Sequence, residues 1–399
     1  MCFFTKIHRF LIRSIYCQPG IQNMKKVLQI VNYYYPHIGG TEQVAYDIAS
    51  VLKGCPEVEQ KIICFNGDAG SMETAEDVID GITVIRCGCI ARIASQSISL
   101  SYPEILDAVM SEFSPDIVFF HYPNPYLAHF LLKHRKEPFR LFIYWHLDIT
   151  RQKMLKKMFR GETLKLIDRA EKILGATPVH LYESEFSAAF GDKGCLLPYM
   201  IDRSFSRMSD DERALAREIR ERDKGKTICF AIGRHVEYKG IRYLIEASGH
   251  LDDSFRIYIA GTGKLTAELK KLAGEENKIV FLGNVTDAER KAYFNACDIF
   301  CFPSVTRNEA FGLALAEAMS CGKPAVTFRI KGSGVNYLNI NGVTGIECPN
   351  RNSLAFARAI IQLAEHGELR EMYGEAARKR ISGNFSREAF ESGLIRLIE

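Results

Sequence analysis

The strongest constraint in this chain is a set of short runs that are apolar at successive residues rather than at alternate ones. Among them are "PDIVFFHY" (115–122), "RLFIYWH" (140–146), "TICFAIG" (227–233), "FRIYIAG" (255–261), "DIFCFPS" (298–304) and "PAVTF" (324–328). Successive side chains of a strand point to opposite faces, so a strand apolar throughout needs cover on both sides. The intervening segments, such as 102–113 and 151–171, carry helical periodicity, and strands alternating with helices imply mostly parallel sheets covered on both faces. Such a series occurs twice, separated by the charged stretch "RMSDDERALAREIRERDKGK" (207–226). At 399 residues, two α/β domains are the natural division. The expected boundaries are an extension at 1–24, doubly wound domains at 25–203 and 204–375, and a helical tail at 376–399 that packs back towards the first domain. The stretch 209–224 is expected to be an outer helix of the second domain.

Composition removes several function classes. The formal net charge of +4 supplies no overall field for nucleic acid. Twelve cysteines are scattered through apolar runs such as "IICF" and "DIFCF", without Cys-x-x-Cys pairs or Cys/His clusters. They read as reduced thiols of a cytoplasmic protein, with no metal expected. No apolar stretch reaches the length of a membrane span. Residues 6–26 contain Lys6, Arg9, Arg13, Lys25 and Lys26 without an acidic residue, and "RQKMLKKMFRG" (151–161) forms a second basic apolar segment. Two readings stand side by side for these segments: a peripheral contact with anionic lipid on the cytoplasmic face of the inner membrane, and ordinary solvated lysines. The leader resembles a short signal peptide, yet Lys6, His8, Arg9 and Arg13 break its apolar run; Met24 is an alternative start.

Ligands of doubly wound sheets sit beyond the carboxyl ends of the strands, and two facing sheets form a cleft. That rule selects Gly39 and Gly40, His121, His146, Arg234 and Lys239 in "GRHVEYKG", Gly261 and Gly263 in "AGTGKL", and Glu309. Arg234 and Lys239 suit a diphosphate, the first as a fork and the second as a point charge. Gly39 and Gly40 allow close backbone approach to an anion at a helix start, while a tight turn explains them equally well. "NYYYPHIGG" lacks the dinucleotide-binding glycine pattern, and "AGTGKL" is too short for a Walker loop, so plain turn chemistry stands beside ligand contact for Gly261 and Gly263. His146 and His121 each end a strand, where an imidazole serves a ligand or satisfies a local backbone group.

"RNEAFGLALAEAM" (307–319) carries Glu309 and Glu317 in a run of small and apolar residues. On one continuous helix they would stand about 12 Å apart and roughly 80° apart in direction. Paired carboxylates of glycosidases lie about 5 to 9.5 Å apart, so an acid and base straddling one bond is disfavoured. The arrangement fits a long ligand held at both ends, with Glu309 towards hydroxyls of a sugar, Glu317 towards a ribose, and the helix start at 310–313 towards an anionic group.

The ordered motifs "NYYYPHIGGTEQ", "GRHVEYKG", "YIAGTGKL", "VFLGN", "NEAFGLALAEAMSCGKPAV" and "NGVTG" make residues 25–399 resemble a retaining glycosyltransferase of the GT4 type. The resemblance implies the GT-B fold, two facing Rossmann-like domains, and transfer of a sugar from a nucleotide diphosphate sugar with retention and without a dissolved metal. In it Arg234 and Lys239 correspond to the diphosphate-neutralising pair and Gly40, with Gly39, to the loop opposite. Glu309 corresponds to the acidic residue at the donor sugar, with the backbone of Phe311, Gly312 and Leu313 around sugar and phosphate. Glu317 corresponds to the ribose-binding glutamate and His146 to the histidine near the reacting centre. "YWHLDITRQKMLKKMF" is similar to relatives that build surface polysaccharides, whose glycan acceptor is often carried on a polyprenyl diphosphate.

One segment departs from the family pattern: "KGSGVNYLNINGVTG" has no acidic residue in the 336–338 region. This bears on donor contacts more than on reaction class. The alternatives are a nucleotide-sugar 2-epimerase on the same architecture, or a noncatalytic nucleotide-sugar-binding scaffold; a scaffold would need none of Arg234, Lys239, Glu309 and Glu317.

Overall fold

In this computed structural model the described residues are 24–399, except 38, 68–70, 94–95, 150–152, 202–204, 206 and 276 and the side chains of 153–155. The first half of the chain forms β1 (Lys25–Ile30), β2 (Val58–Phe65), β3 (Ala75–Ile79), β4 (Ile82–Cys87), β5 (Ala91–Ile93), β6 (Gln96–Ile98), β7 (Ile117–Tyr122), β8 (Arg140–Trp145), β9 (Lys172–Gly175) and β10 (Gly194–Leu196). Eight of these make one sheet in the order β10-β9-β8-β7-β1-β2-β4-β3, and β5 pairs with β6 as a separate hairpin. All pairings in the large sheet are parallel except that of the edge strand β3 with β4. Every residue of β7 is buried, as continuous apolar character requires of a central strand. The edge strand β3 and the hairpin escape a search for apolar runs because they are short and largely exposed or half-buried.

The second half forms β11 (Thr227–Ile232), β12 (Phe255–Ala260), β13 (Ile279–Gly283), β14 (Ile299–Phe302), β15 (Ala325–Phe328) and β16 (Gly345–Cys348). These make an all-parallel sheet in the order β13-β12-β11-β14-β15-β16. Strand order reverses between β1 and β7 in one sheet and between β11 and β14 in the other. Loops leaving such neighbours diverge, which opens a crevice at the strand ends.

The charged stretch at 209–224 becomes the helix Asp210–Arg222, started by a reciprocal cap between Ser209 and Glu212. Its Glu212 pairs with Lys291 of the helix Asp287–Ala296 at 3.2 Å. The last helix, Arg387–Ile398, reaches the first sheet. There Lys25 Nζ donates to the Ile398 carbonyl at 2.9 Å, and Arg140 donates to the carbonyls of Leu397 at 2.9 Å and Ile398 at 3.2 Å. Leu197, Tyr199 and Ile201, which follow β10, pack into the same apolar core as the second sheet. Among the described residues no helix is long and apolar enough to cross a membrane, and no group of three metal-ligating side chains converges. The basic segment at 6–23 and residues 151–152 of the second segment lie outside the described residues.

Candidate active site

"RNEAFGLALAEAM" is not one helix. The helix spans Leu313–Ser320, and Gly312 before it adopts φ +95°, a left-handed conformation that favours glycine. Glu309 therefore belongs to the loop after β14, which removes it from the rigid spacing of a continuous helix. Its Oε2 lies 2.5 Å from Lys239 Nζ and accepts from Ser304 Oγ at 2.9 Å, while Ser333 Oγ donates to the Glu309 carbonyl. Lys239 comes from the short turn Glu237–Lys239 after β11, so the two strands flanking the switch point each contribute one charge of the pair. Both partners are largely buried, where a charge-assisted bond is stronger than at the surface.

Arg234, on the loop leaving β11, donates to the Tyr238 hydroxyl at 3.3 Å. Gly261 and Gly263 lie behind this loop. A side-chain carbon at Gly261 would collide with the Gly233 carbonyl oxygen, and one at Gly263 would stand 2.6 Å from the His235 carbonyl oxygen. Backbone packing against the Arg234 loop thus accounts for both glycines.

Glu317 lies within the helix, with Arg290 Nη1 at 3.4 Å from its Oε1. Burial lifts its carboxyl to about 7, against the opposing pull of Arg290. Gly40 opens the helix Gly40–Leu52, and a Cβ there would stand 3.5 Å from Leu313 Cδ1. The first turns of two helices, one from each domain, therefore meet across the cleft. Beside Gly39 stands Glu42, whose carboxyl is raised by burial against the fields of His37 and Arg234. Sequence reasoning missed Glu42; its only signal was its place in the first turn after the glycine pair.

The first-domain wall is built differently. His146, just past β8, has Nδ1 2.6 Å from the Tyr199 hydroxyl and Nε2 3.0 Å from His121 Nδ1, so both ring nitrogens have protein partners. Burial first, then the neighbouring imidazoles of His121 and His180, hold His146 well below its ordinary value. His121 is lowered by burial to about 3. Phe311, immediately before Gly312, packs on Tyr199 with ring centroids 4.6 Å apart.

Beyond His146 lies a small, open pocket bounded by Trp145, Asp148, His180, Glu183, Arg307 and Gly332. Asp148 accepts from Trp145 Nε1 at 2.9 Å, Ser184 Oγ at 2.7 Å and the Glu185 amide at 3.0 Å. Its Oδ2 also meets Arg307 of the second domain at 3.5 Å, an ion pair across the cleft. His180 Nδ1 is 2.7 Å from Thr177 Oγ1, and burial lowers this imidazole to about 4. Arg307 and His180 were also missed. Arg307 follows β14 like Glu309, but its pairing emerges only with Asp148 opposite; His180 lies in the short helix Pro178–Tyr182, which no motif marks.

Comparison with known proteins adds a family context. Residues 212–380 match the family described as Glycosyl transferases group 1. The chain is 26% identical over 366 residues to O-antigen chain mannosyltransferase C of Escherichia coli, covering 90% of this chain and 94% of that protein. It is 28% identical over 363 residues to the D-rhamnosyltransferase WbpZ of Pseudomonas aeruginosa, covering 88% and 91% respectively. Among solved structures, sucrose-phosphate synthase from Thermosynechococcus elongatus superposes with a TM-score of 0.75 at 16% identity, covering 94% of this chain and 98% of that one. Anabaena HepE in complex with UDP and glucose gives 0.74 at 18% identity, covering 94% and 99%. At such identities the likeness concerns the fold, which is GT-B: two facing Rossmann-like domains.

Proposed function

We propose that this chain, a glycosyltransferase carrying a group 1 glycosyl transferase domain, moves a hexosyl or N-acetylhexosaminyl group from a nucleotide diphosphate sugar to a glycan, with retention at the anomeric carbon. The observation that carries this reading is the buried Lys239–Glu309 pair at the β11/β14 switch point, beside Arg234 and the helix start at Leu313. Arg234 and Lys239 neutralise the diphosphate of GDP-mannose or a UDP-sugar, and the backbone of Phe311, Gly312 and Leu313 adds amide donors. Glu309 accepts hydrogen bonds from donor-sugar hydroxyls, and Glu317 accepts them from the ribose. Gly39 and Gly40 leave room on the opposite side. These groups stabilise charge as it develops on the departing nucleoside diphosphate, without a metal ion. The acceptor hydroxyl attacks the face the leaving group vacates, and a leaving phosphate oxygen takes its proton.

The two long matches are named for mannosyl and D-rhamnosyl transfer, which favours a role in surface-polysaccharide biosynthesis. The acceptor is then a glycan or a polyprenyl-diphosphate-linked glycan, reached from the cytoplasmic side by peripheral membrane contact. Lys156 and Arg160 of the second basic segment pair with Glu185, at 2.6 and 3.5 Å, while Met158 is exposed. A panel of GDP- and UDP-sugars screened by thermal shift, followed by transfer assays and NMR of the product anomer, tests the reading. Absence of both stabilisation and transfer across the panel, or an inverted product, contradicts it.

A further inference from the structure

The first-domain wall contains a line of four buried polar side chains ending on a backbone atom. Gln29, His121, His146 and Tyr199 are between 1% and 4% exposed. The fixed point is the Ala45 carbonyl, which only accepts. Gln29 Nε2 donates to it at 3.1 Å, so the other end of the amide, Oε1, faces His121 Nε2 at 3.2 Å. An amide oxygen only accepts, so His121 Nε2 carries the hydrogen. A neutral imidazole has one N–H, which leaves His121 Nδ1 bare and makes it the acceptor for His146 Nε2–H at 3.0 Å. His146 Nδ1 is then bare as well, and the Tyr199 hydroxyl donates to it at 2.6 Å. Each tautomer follows from the one before it, back to a backbone carbonyl whose role has no alternative. Both rings are neutral because burial penalises their charged forms.

We propose that Gln29 and His121 are positioning residues: they fix His146 in its Nε2–H form, whose Nδ1 lone pair captures the Tyr199 hydroxyl and holds that ring against Phe311. Phe311 begins the turn into Gly312 and lies two residues from Glu309, so a tautomer chosen inside the first domain sets the seat of the loop that meets the donor sugar. The inference rests on the glycosyltransferase reading of that loop. His146 acts here as a neutral acceptor and neither gives nor takes the proton of the reaction. The chain ends at an amide oxygen, which is too weak a base to receive a proton.

The test is ¹⁵N NMR of the full chain labelled in its histidines, without ligand, with His121→Asn and His146→Asn spectra used for assignment. Both rings should show the Nε2–H correlation pattern, unchanged between pH 8 and pH 5.5. Tyr199→Phe should retain that pattern, because orientation comes from Ala45; Gln29→Leu should mix the tautomers of both rings. Each variant should lower kcat/KM for the donor by about tenfold, the scale of a small displacement of a positioning element. An Nδ1–H form of either ring in the wild type, a titration inside that pH range, or loss of the pattern in Tyr199→Phe overturns the proposal. If Gln29→Leu does not fold, the wild-type and Tyr199→Phe spectra decide. A protein with the tautomer pattern intact but no transfer activity would count against the glycosyltransferase chemistry proposed above, not against this chain of hydrogen bonds.

Discussion

The two walls of the cleft solve different electrostatic problems. The second-domain wall keeps charges in pairs: Lys239 with Glu309 at 2.5 Å and Arg290 with Glu317 at 3.4 Å, with Arg234 beside them. The first-domain wall keeps neutral rings, with His121, His146 and His180 all depressed by burial and surrounded by Tyr144, Trp145 and Tyr199. On the function proposed above, the second-domain wall receives a diphosphate and gains from cations whose fields are partly balanced until the ligand arrives. The first-domain wall instead satisfies both ring nitrogens of His146 internally and places no net charge there. Two carboxyls of the first domain are exceptions: Asp148, which meets Arg307 of the second domain at 3.5 Å, and Glu42 beside Gly39, raised by burial.

The contrast breaks most readily at Glu309. Glu309→Ala should lower kcat by about a thousandfold, the scale of removing one preorganised contact to developing charge, while also leaving Lys239 without its partner. Turnover within tenfold of wild type would remove Glu309 from the chemistry. Arg234→Ala should weaken binding of the nucleoside diphosphate by roughly ten- to a hundredfold, as expected for a charge-assisted bond worth about 1.5 to 3 kcal/mol. Isothermal titration with the free diphosphate checks this, and an unchanged Kd would place the anion elsewhere.

Acid should act in opposite directions on the buried imidazoles and on the buried carboxyls. His121, His146 and His180 have lowered folded pKa values, so the unfolded chain binds their protons first and stability falls as pH drops below the ordinary histidine value. Glu317 has a raised value, so the folded state binds its proton first and regains stability as pH falls from about 7 towards the ordinary carboxylate range. From pH 7 to 5.5 the three rings cost about 4 kcal/mol and Glu317 returns between about 1 and 2; Glu42, raised by burial, acts in the same direction as Glu317, and the expected outcome is a net loss of stability. Chemical denaturation at both values measures it, and equal or greater stability at pH 5.5 would mean the rings are not buried neutral. The smallest effect is at Glu317 itself. An ionised carboxylate accepts ribose hydroxyls best, so donor affinity should fall a fewfold below pH 7, and Glu317→Gln should abolish that dependence with less than a tenfold loss of affinity.

The division of labour between the walls explains what the sequence disclosed. Arg234, Lys239 and Glu309 were legible because they follow apolar strands, and a charge at the end of a buried strand is conspicuous. His146 was legible by the same rule, but not its partners: Gln29 lies 117 residues earlier in the chain and Tyr199 53 later. Gly261 and Gly263 were open to ligand contact and to plain turn chemistry alike, and the structure places both where one loop passes close to another. Glu42 follows the glycine pair and Arg307 follows β14, but position alone does not separate them from their neighbours, and His180 has no such mark at all.

Periodicity by itself determined two doubly wound sheets, because a strand apolar on both faces has few ways to be covered. Their facing arrangement came from the family resemblance of the ordered motifs. Strand order, the left-handed break at Gly312 that takes Glu309 off the helix, and the hydrogen-bond chain from Ala45 to Tyr199 were decided only by tertiary structure. Local burial is written into neighbouring residues, whereas the direction of a hydrogen bond depends on which distant atom stands at its other end.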